Sequence, residues 1–420
     1  MTGLRCSLPS LLCLCLLAGQ ASAAPSSGTP TGWPGPYKHV SSTSVDWLKA
    51  KGWWPLTMAW QPAFAGQNAT VVALKANDLL GRRGLTVHFS PMASGVAVNA
   101  AITAGTAQMG AGGNFPLTRL VDQGAPIRVL AITAPNLKHQ VIVPTASPIK
   151  TLSDFKGSQP PATIGLVLGS SAEFYFQAAA ATHGLKLGRD VVLKNVPQDA
   201  QRVLPADLAA VVPWDPTATQ ITAELKSGRA IDVSYPYNVY QGSFFVREEL
   251  VHDVPDVALA VTEALVEAEL WLRLNPTQAA DVMASQPELS DFSRALLSQQ
   301  LAEYNLLYKL SYLYPLGAFW GRQNADIAMW LFVQGKLKKP LQGADYAARF
   351  ADGPMQQVFD RLGWKIPTRP PYIPADFWMN FVGNTLPRYD TYLTMKGPQA
   401  WPEPDDLTKP FSYAGKLHTP

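Results

Sequence analysis

The chain has 420 residues, of which 34 are basic and 31 acidic, and its formal net charge at pH 7 is +3. So small an excess of positive charge, spread along the chain, argues against nucleic-acid binding. All three cysteines, Cys6, Cys13 and Cys15, lie at the start, so the chain that follows can form neither disulfides nor thiolate metal sites. We predict no metal and no cofactor.

Residues 1–23 are typical of a secretory signal peptide. Arg5 precedes an apolar run from Leu8 to Leu17, and the small residues before Ala23 suit signal cleavage. A membrane anchor is the alternative, but the run is about half of the roughly 20 residues that cross a bilayer. We therefore predict cleavage after Ala23 and a periplasmic location.

Residues 24–52 are rich in Pro, Gly, Ser and Thr, and we predict that they form an extension along the surface. Strands and helices alternate after Pro55. The predicted strands are 56–60, 85–89, 108–111 and 127–133, and the predicted helices are 68–80, 94–104 and 116–122. This alternation favours an α/β fold with a mostly parallel sheet covered on both faces.

A second set of elements begins near Pro144 and predicts a second α/β lobe. Its predicted strands are 163–168, 191–194, 208–213 and 230–233, and its predicted helices are 171–183 and 216–226. Long helices follow, including one that starts near Pro255 and stops at Asn275, and the helical pattern continues to about Leu362. The chain beyond Trp364 is proline-rich and is predicted to be irregular.

The two sets suggest that the chain crosses between lobes twice, at 138–144 and at 237–246. The predicted division is 53–138 with 243–330 for lobe 1, 139–242 for lobe 2 and 331–420 for a C-terminal extension. Ligands of open α/β sheets bind outside the carboxyl ends of the strands. Loops that follow strands are therefore the candidate sites.

The strongest candidate is the helix that starts with Gly169, Ser170 and Ser171 after a strand. Free backbone N–H groups and the positive end of the helix favour an anionic or strongly hydrogen-bonding group there. Ser170 and Glu173 also have the spacing of a capping box, which is an equally good explanation of Ser170. Ser171 is therefore the better single candidate for ligand contact.

Four further segments carry candidate side chains. Ser94 and Gly95 start a helix, Asn114 follows a glycine-rich turn, and Trp214 with Asp215 follows a strand. Simple helix capping is the alternative for Ser94 and for Asp215. The last segment holds Tyr235, Tyr237 and Tyr240 near the second crossing, of which we select Tyr237, with buried packing as its alternative. The histidines, including His139, lie in no catalytic motif.

Taken in order, these segments resemble the nitrate, sulfonate and taurine group of substrate-binding proteins of ABC importers. The resemblance extends over about 56–274, and its carriers are ASG at 93–95, AITAGTAQMGAGG at 101–113, IKTLSDFKG at 149–157, GLVLGSSAEFY at 165–175 and AVVPWDP at 210–216. It implies a two-lobed periplasmic-binding-protein (Venus flytrap) fold of type II that closes over its ligand. It also implies a monomer that docks on a permease driven by an ATPase.

The same resemblance implies which residues contact the ligand. They are Trp60, Gln61, Ser94, Gly95, Asn114, Ser170, Ser171, Trp214 and Asp215. The chain departs from the family pattern in its C-terminal extension and in having no Lys or Arg within these loops. Small inorganic anions need strong donors, so we expect a larger organic ligand, sulfonate-like or carboxylate-like, including aromatic acids.

We predict a binding protein and not an enzyme, with two alternatives. One is an enzyme on the same fold that acts on a sulfur- or nitrogen-containing small molecule, because desulfinases and thiamin-precursor synthases resemble this fold. The cysteine nucleophile of desulfinases is absent from the predicted mature chain. The other is a ligand sensor that docks on a receptor.

Overall fold

A computed structural model describes residues 33–135, 138–234, 237, 240–307, 313–339, 341–364 and 366, together with 411–413 and 416–418. The predicted signal peptide, the first part of the predicted extension and most of the chain after Trp364 lie outside the described residues.

The first sheet has five strands in the order β2-β1-β3-β10-β4. They are β1 (Leu56–Trp60), β2 (Val87–Pro91), β3 (Met109–Gly113), β4 (Ile127–Pro135) and β10 (Gln241–Arg247). β1 runs parallel to β2 and β3, with Met58 opposite both Phe89 and Met109. β10 runs antiparallel between β3 and β4.

The second sheet has the order β7-β6-β8-β5-β9. Its strands are β5 (Gln140–Pro144), β6 (Ala162–Leu166), β7 (Val191–Asn195), β8 (Ala210–Val211) and β9 (Gly228–Val233). β6 is parallel to β7 and β8, whereas β5 is antiparallel to β8 and β9.

Both sheets are mixed, but four of the five described strands in each sheet run in the same direction, which agrees with the expectation of a mostly parallel sheet. In each sheet one strand, β10 or β5, runs against the other four. The cause is the double crossing between lobes. The chain leaves the first sheet at Pro135, the end of β4, and re-enters it at Gln241, which is the register partner of Pro135. A strand that starts at the edge where its neighbour ends must run antiparallel to that neighbour.

Fourteen α-helices are described, and they cover the sheets. They are α1 (Ser42–Ala50), α2 (Gln67–Ala76), α3 (Gly95–Thr103), α4 (Asn114–Asp122), α5 (Ser171–Thr182), α6 (Gln198–Gln201), α7 (Thr217–Thr219), α8 (Glu249–His252), α9 (Pro255–Leu274), α10 (Pro276–Ala284), α11 (Arg294–Leu307), α12 (Gly317–Val333), α13 (Gly343–Ala347) and α14 (Asp352–Leu362). Proline at the first position of α9 suits a helix start because its missing N–H would have no intrahelical partner. None of these described helices combines the length and apolar character that crossing a bilayer requires.

The described part of the N-terminal extension is packed into the protein. Leu48 on α1 is fully buried, and the Ser44 hydroxyl donates to the Asp256 carboxylate at the start of α9, at 2.6 Å. Asp256 also accepts from the Ser41 backbone N–H at 2.7 Å. This extension therefore contributes to the core of the first lobe.

The chain after α12 also packs on the first lobe. Arg349 and Ala351 exchange backbone hydrogen bonds with Val129 of β4, at 2.7 and 2.8 Å. α14 then packs against α9. At the far end, β11 (Phe411–Tyr413) and β12 (Lys416–His418) pair as a short antiparallel hairpin, so the prediction of wholly irregular structure beyond Trp364 is wrong there.

Glu269 is a carboxyl group buried in the first lobe, and its burial outweighs the hydrogen bonds that favour its ionised form. Its Oε1 lies 2.5 Å from the Thr70 hydroxyl and its Oε2 lies 3.2 Å from the Tyr304 hydroxyl. Each hydroxyl has one proton, and each also lies within donating distance of a backbone carbonyl, Thr70 of Gly66 O and Tyr304 of Thr133 O. Burial raises the pKa of Glu269 to about 8.

Candidate functional site

The loops of the two lobes enclose a small cavity, here called the interlobe cavity. Its volume is about 20 Å³, enough for one water molecule. It is lined by Gln61, Phe64, Gly95, Gly113, Pro116, His139, Ser170, Ser171, Trp214 and Tyr240. Most of these residues end or follow strands of the two sheets, as expected for a site at the carboxyl ends of the strands. His139 and Tyr240 directly precede β5 and β10, the antiparallel strands of the two sheets.

The start of α5 forms the polar wall of the cavity. The Ser170 hydroxyl accepts from the Ala172 N–H at 3.2 Å and donates to Val167 O at 2.7 Å. Glu173 accepts from the Gly169 N–H at 2.7 Å and not from Ser170. Ser170 therefore caps the helix, but the reciprocal capping box is displaced by one residue.

Ser171 is the hydroxyl that reaches the other lobe. Its Oγ donates to Asn114 Oδ1 at 3.3 Å, and both side chains are buried. Asn114 Oδ1 also accepts from the Phe115 N–H at 3.0 Å, at the start of α4. The two lobes thus meet through the polar side chains at the starts of two helices.

Aromatic rings form the opposite wall. The His139 ring lies 5.9 Å from the ring of Trp214 and 5.2 Å from that of Tyr240, and Phe64 packs edge-on against Tyr240 at 5.9 Å. Burial raises the pKa of the Tyr240 hydroxyl well above its usual value, so this group stays neutral. A Cβ on Gly113 would overlap that hydroxyl, so the glycine turn admits a tyrosine here.

Direct hydrogen bonds hold the lobes together around the cavity. The Trp214 indole N–H donates to Ala63 O at 2.6 Å, and the Ala65 N–H donates to Asp215 O at 3.0 Å. With the bond between Ser171 and Asn114, these contacts bridge loops of the two sheets. The described conformation is therefore closed.

Comparison with known proteins identifies the family. A model described as NMT1/THI5 like matches residues 69–279, half of the chain. The chain belongs to this family.

Solved structures and a curated relative support the fold of this family member. The alkanesulfonate-binding protein SsuA of Xanthomonas axonopodis pv. citri, solved with MOPS bound, has a TM-score of 0.60 and 20% identity over 70% of this chain and 97% of its own. The nitrate-binding protein NrtA of Synechocystis PCC 6803 has a TM-score of 0.59 and 14% identity over 75% and 91%. A provisionally named binding protein of Brucella abortus (strain 2308) is 22% identical over 307 residues, covering 70% of this chain and 89% of its own.

These similarities confirm the two-lobed periplasmic-binding-protein fold predicted from the sequence, and they confirm the resemblance to the nitrate and sulfonate group. At such low identity, likeness of structure speaks for the fold, and function must be argued from the site.

Five of the ten predicted site residues of this family member line the interlobe cavity. They are Gln61, Gly95, Ser170, Ser171 and Trp214. Asn114 lies directly behind Ser171. Trp60 is fully buried at the end of β1, and its indole nitrogen has no hydrogen-bond partner among the described residues. Ser94 caps α3 by accepting from the Ala97 N–H at 3.4 Å.

Asp215 is placed behind the cavity and not in its lining. Its carboxylate accepts from the Thr219 N–H and hydroxyl at 3.1 and 2.7 Å, and it pairs with Lys138 at 3.3 Å. Burial raises the pKa of Asp215, and the nearby Lys138 charge opposes that increase. These contacts correspond to the capping alternative for Asp215.

Tyr237 also lies outside the cavity lining. Its hydroxyl is 3.0 Å from His183 Nε2, and its ring packs against Tyr175 at 6.0 Å. Burial raises the pKa of the Tyr237 hydroxyl. This environment agrees with the alternative given for Tyr237, which is packing in the protein interior.

Sequence reasoning missed His139 as a cavity residue, and from the tyrosine cluster it selected Tyr237 where the structure places Tyr240 in the lining. Tyr240 stands in the same tyrosine cluster as Tyr237, only three residues later. His139 lies within the first predicted crossing between the lobes, at 138–144. Its position there was the one sign in the sequence that it could line the cavity. No Lys or Arg lines the interlobe cavity within the described part of the chain.

Proposed function

We propose that this protein is an extracytoplasmic solute-binding protein that delivers a small organic ligand to an ABC importer. The ligand is sulfonate-like or carboxylate-like, aromatic acids included. The observation that carries the proposal is the interlobe cavity, where the start of α5 at Ser170 and Ser171 faces the rings of Trp214, His139 and Tyr240. The names of the similar proteins SsuA and NrtA support this class of function.

The polar wall suits a singly charged end of a ligand. Ser171 can donate its hydroxyl and its backbone N–H, and the start of α5 adds the positive end of the helix dipole. With no Lys or Arg in the described lining, the wall has no fixed positive charge to balance a dianion. The aromatic rings are suited to the apolar body of the ligand.

The closed cavity is too small for an organic ligand, because about 20 Å³ holds one water molecule. Admission therefore requires the lobes to separate, which breaks the bonds of Trp214 to Ala63 and of Ser171 to Asn114. The ligand then takes over the hydrogen bonds that Ser171 and Asn114 make with each other, and closure around it gives the form that the permease recognises.

We further propose that the protein acts as a monomer after its signal peptide is removed, with the permease and its ATPase as partners. The contacts are the five cavity-lining residues of the predicted set, with Asn114 behind Ser171 and with His139 and Tyr240 added from the structure. Trp60, Ser94, Asp215 and Tyr237 would support the site from outside its lining.

A screen of sulfonates, carboxylates and aromatic acids by thermal unfolding tests the proposal. A ligand of the folded form raises the melting temperature by mass action. Trp214→Ala should weaken binding of that ligand by about 1 to 3 kcal/mol, as expected for a buried aromatic anchor. Trp53→Ala is the matched control, because Trp53 packs against Trp47 and Arg247 and not in the cavity.

The outcomes separate the three functions under consideration. Chemical turnover of a compound that gives no thermal shift would replace the binding protein by an enzyme. If the ligand-bound protein docks on a receptor and not on an importer, the result would favour the sensor. Unchanged affinity in Trp214→Ala would remove the aromatic wall from the site.

A further inference from the structure

A larger depression lies beside the interlobe cavity and is here called the side groove. Its volume is about 730 Å³, within the roughly 300 to 1,000 Å³ typical of small-molecule sites. Its walls include Val96 of α3, Arg119 of α4 and Leu168, together with Glu173 and Lys336. No residue lines both the side groove and the interlobe cavity.

Two apolar side chains stand exposed in the side groove. Val96 and Leu168 are each 42% exposed, and they come from different lobes. Both lie next to cavity residues in sequence, Val96 after Gly95 and Leu168 two residues before Ser170. The groove therefore presents an apolar surface at the seam between the lobes.

The charges of the side groove are unbalanced. Lys336 pairs with Glu173 at 2.6 Å, and Glu173 also accepts from the Gly169 N–H and from Gln177, each at 2.7 Å. Arg119 is half-buried, and its guanidinium has no hydrogen-bond or ion-pair partner among the described residues. Two positive charges and one negative charge leave the groove with a net charge of +1.

A half-buried guanidinium without a counter-ion is suited to a planar or tetrahedral oxyanion, which it can bind through two parallel hydrogen bonds. An ion of one negative charge would neutralise the groove. Val96 and Leu168 would then cover the apolar part of the same molecule, whose burial adds to affinity.

We propose that the side groove is a second binding site, for an organic monoanion with a short apolar chain. Its sulfonate or carboxylate head binds Arg119, and its chain lies between Val96 and Leu168. Both lobes and the segment at Lys336 form the walls, so the occupant bridges parts that separate on opening. Occupancy therefore stabilises the closed form and increases the affinity of the interlobe cavity for its own ligand.

A thiol placed in the side groove tests its occupancy directly. Thr103 is exposed and lines the groove, so Thr103→Cys, with Cys6, Cys13 and Cys15 replaced by Ser, gives one reactive thiol. We expect 1-hexanesulfonate to slow alkylation of that thiol in a saturable way. Sodium sulfate has the anionic group without the apolar chain, and 1-hexanol has the chain without the anionic group. Each should need at least about ten-fold higher concentrations to give the same protection.

Variants of Arg119 decide whether the protection comes from the proposed site. Arg119→Gln should raise the half-protecting concentration of 1-hexanesulfonate about ten-fold or more, since a charge-assisted pair is lost. Arg119→Lys keeps the positive charge but cannot form two parallel hydrogen bonds. Its half-protecting concentration should therefore lie between those of the Arg119 protein and of Arg119→Gln. Lys150→Gln is the matched control, because it removes one exposed positive charge outside the groove and should change nothing.

The result distinguishes this proposal from the proposed function. No protection at position 103, or equal protection in Arg119→Gln, overturns the side groove even if sulfonates raise the melting temperature through the interlobe cavity. Protection that depends on Arg119 but not on Trp214 keeps the side groove, and the interlobe site is then judged separately by the affinity of Trp214→Ala for its ligand. If Arg119→Gln fails to fold, Arg119→Lys carries the same comparison.

Discussion

Replacing Glu269 by Gln should remove a large pH dependence from the stability of the protein. The Glu269 carboxyl is buried between Thr70 and Tyr304, and its pKa in the folded protein is about 8. The amide is neutral at every pH, has nearly the same shape, and can still donate towards Thr70. The substitution therefore isolates the effect of ionising this one group.

The sign follows from proton binding in the two states. Between pH 4.5 and about 8 the folded protein keeps the Glu269 proton and the unfolded chain has lost it, so stability falls as the pH rises. The stabilisation is complete below pH 4.5 and is lost as the pH passes through about 8. A difference between 4.5 and about 8, at about 1.36 kcal/mol for each pH unit, corresponds to about 5 kcal/mol.

Urea unfolding followed by tryptophan fluorescence measures the effect from pH 4 to 9. We expect the free energy of unfolding of Glu269→Gln to gain about 5 kcal/mol over that of the wild type as the pH rises through this range. Glu303→Gln is the control, because Glu303 lies on the neighbouring helix with 44% of its side chain exposed and should give a parallel profile. Parallel profiles for Glu269→Gln and the wild type would refute a protonated Glu269.

Asp232→Asn should act in the same direction at lower pH, because burial raises the pKa of Asp232 to about 6 while its carboxylate accepts from the Tyr175 hydroxyl. Its gain over the wild type should reach about 3 kcal/mol above pH 6, by urea unfolding; equal profiles would contradict it. Trp330→Ala should cost about 3 to 5 kcal/mol, because the indole packs edge-on against buried Phe174 at 5.0 Å. A cost below about 1 kcal/mol would mean that α12 does not support α5. Leu48→Ala should cost about 2 to 5 kcal/mol if the N-terminal extension folds with the core, and a separate early unfolding transition would count against this.

Local patterns predicted the elements well where the cause is local. The strand at 56–60 has the predicted bounds, and α9 starts at Pro255 and stops before Asn275 as expected. The helix predicted at 68–80 ends at Ala76, because the Asn77 side chain donates to Ala73 O and Asp78 adopts a left-handed backbone conformation. Such a helix end depends on one side-chain hydrogen bond, and the hydrophobic periodicity of the sequence does not reveal it.

Contacts between distant segments were harder to predict. The strand predicted at 208–213 pairs only at Ala210 and Val211, and the helix predicted at 216–226 has only one regular turn, at 217–219, before its winding widens over 220–224. The packing of His139 between Trp214 and Tyr240 depends on both crossings between the lobes. No local pattern around a single histidine encodes such a contact.

The side groove illustrates the same limit. Arg119 is one charged residue on a helix, and the sequence gives no sign that it lacks a partner. Lys336 belongs to the segment whose role the sequence left open, and only the fold brings it to Glu173. The predicted loops contain no Lys or Arg, but this composition describes the loops and not their neighbours in space.

The central position of β10 has a consequence for how the protein is made. β10 lies between β3 and β4, yet it follows them by more than a hundred residues in the chain. Until Gln241–Arg247 has left the ribosome, β3 and β4 each keep an unpaired edge, and such edges invite pairing with other chains. The first lobe can therefore complete its sheet only after the whole second lobe has been synthesised, which leaves a long interval in which a chaperone can hold the chain unfolded.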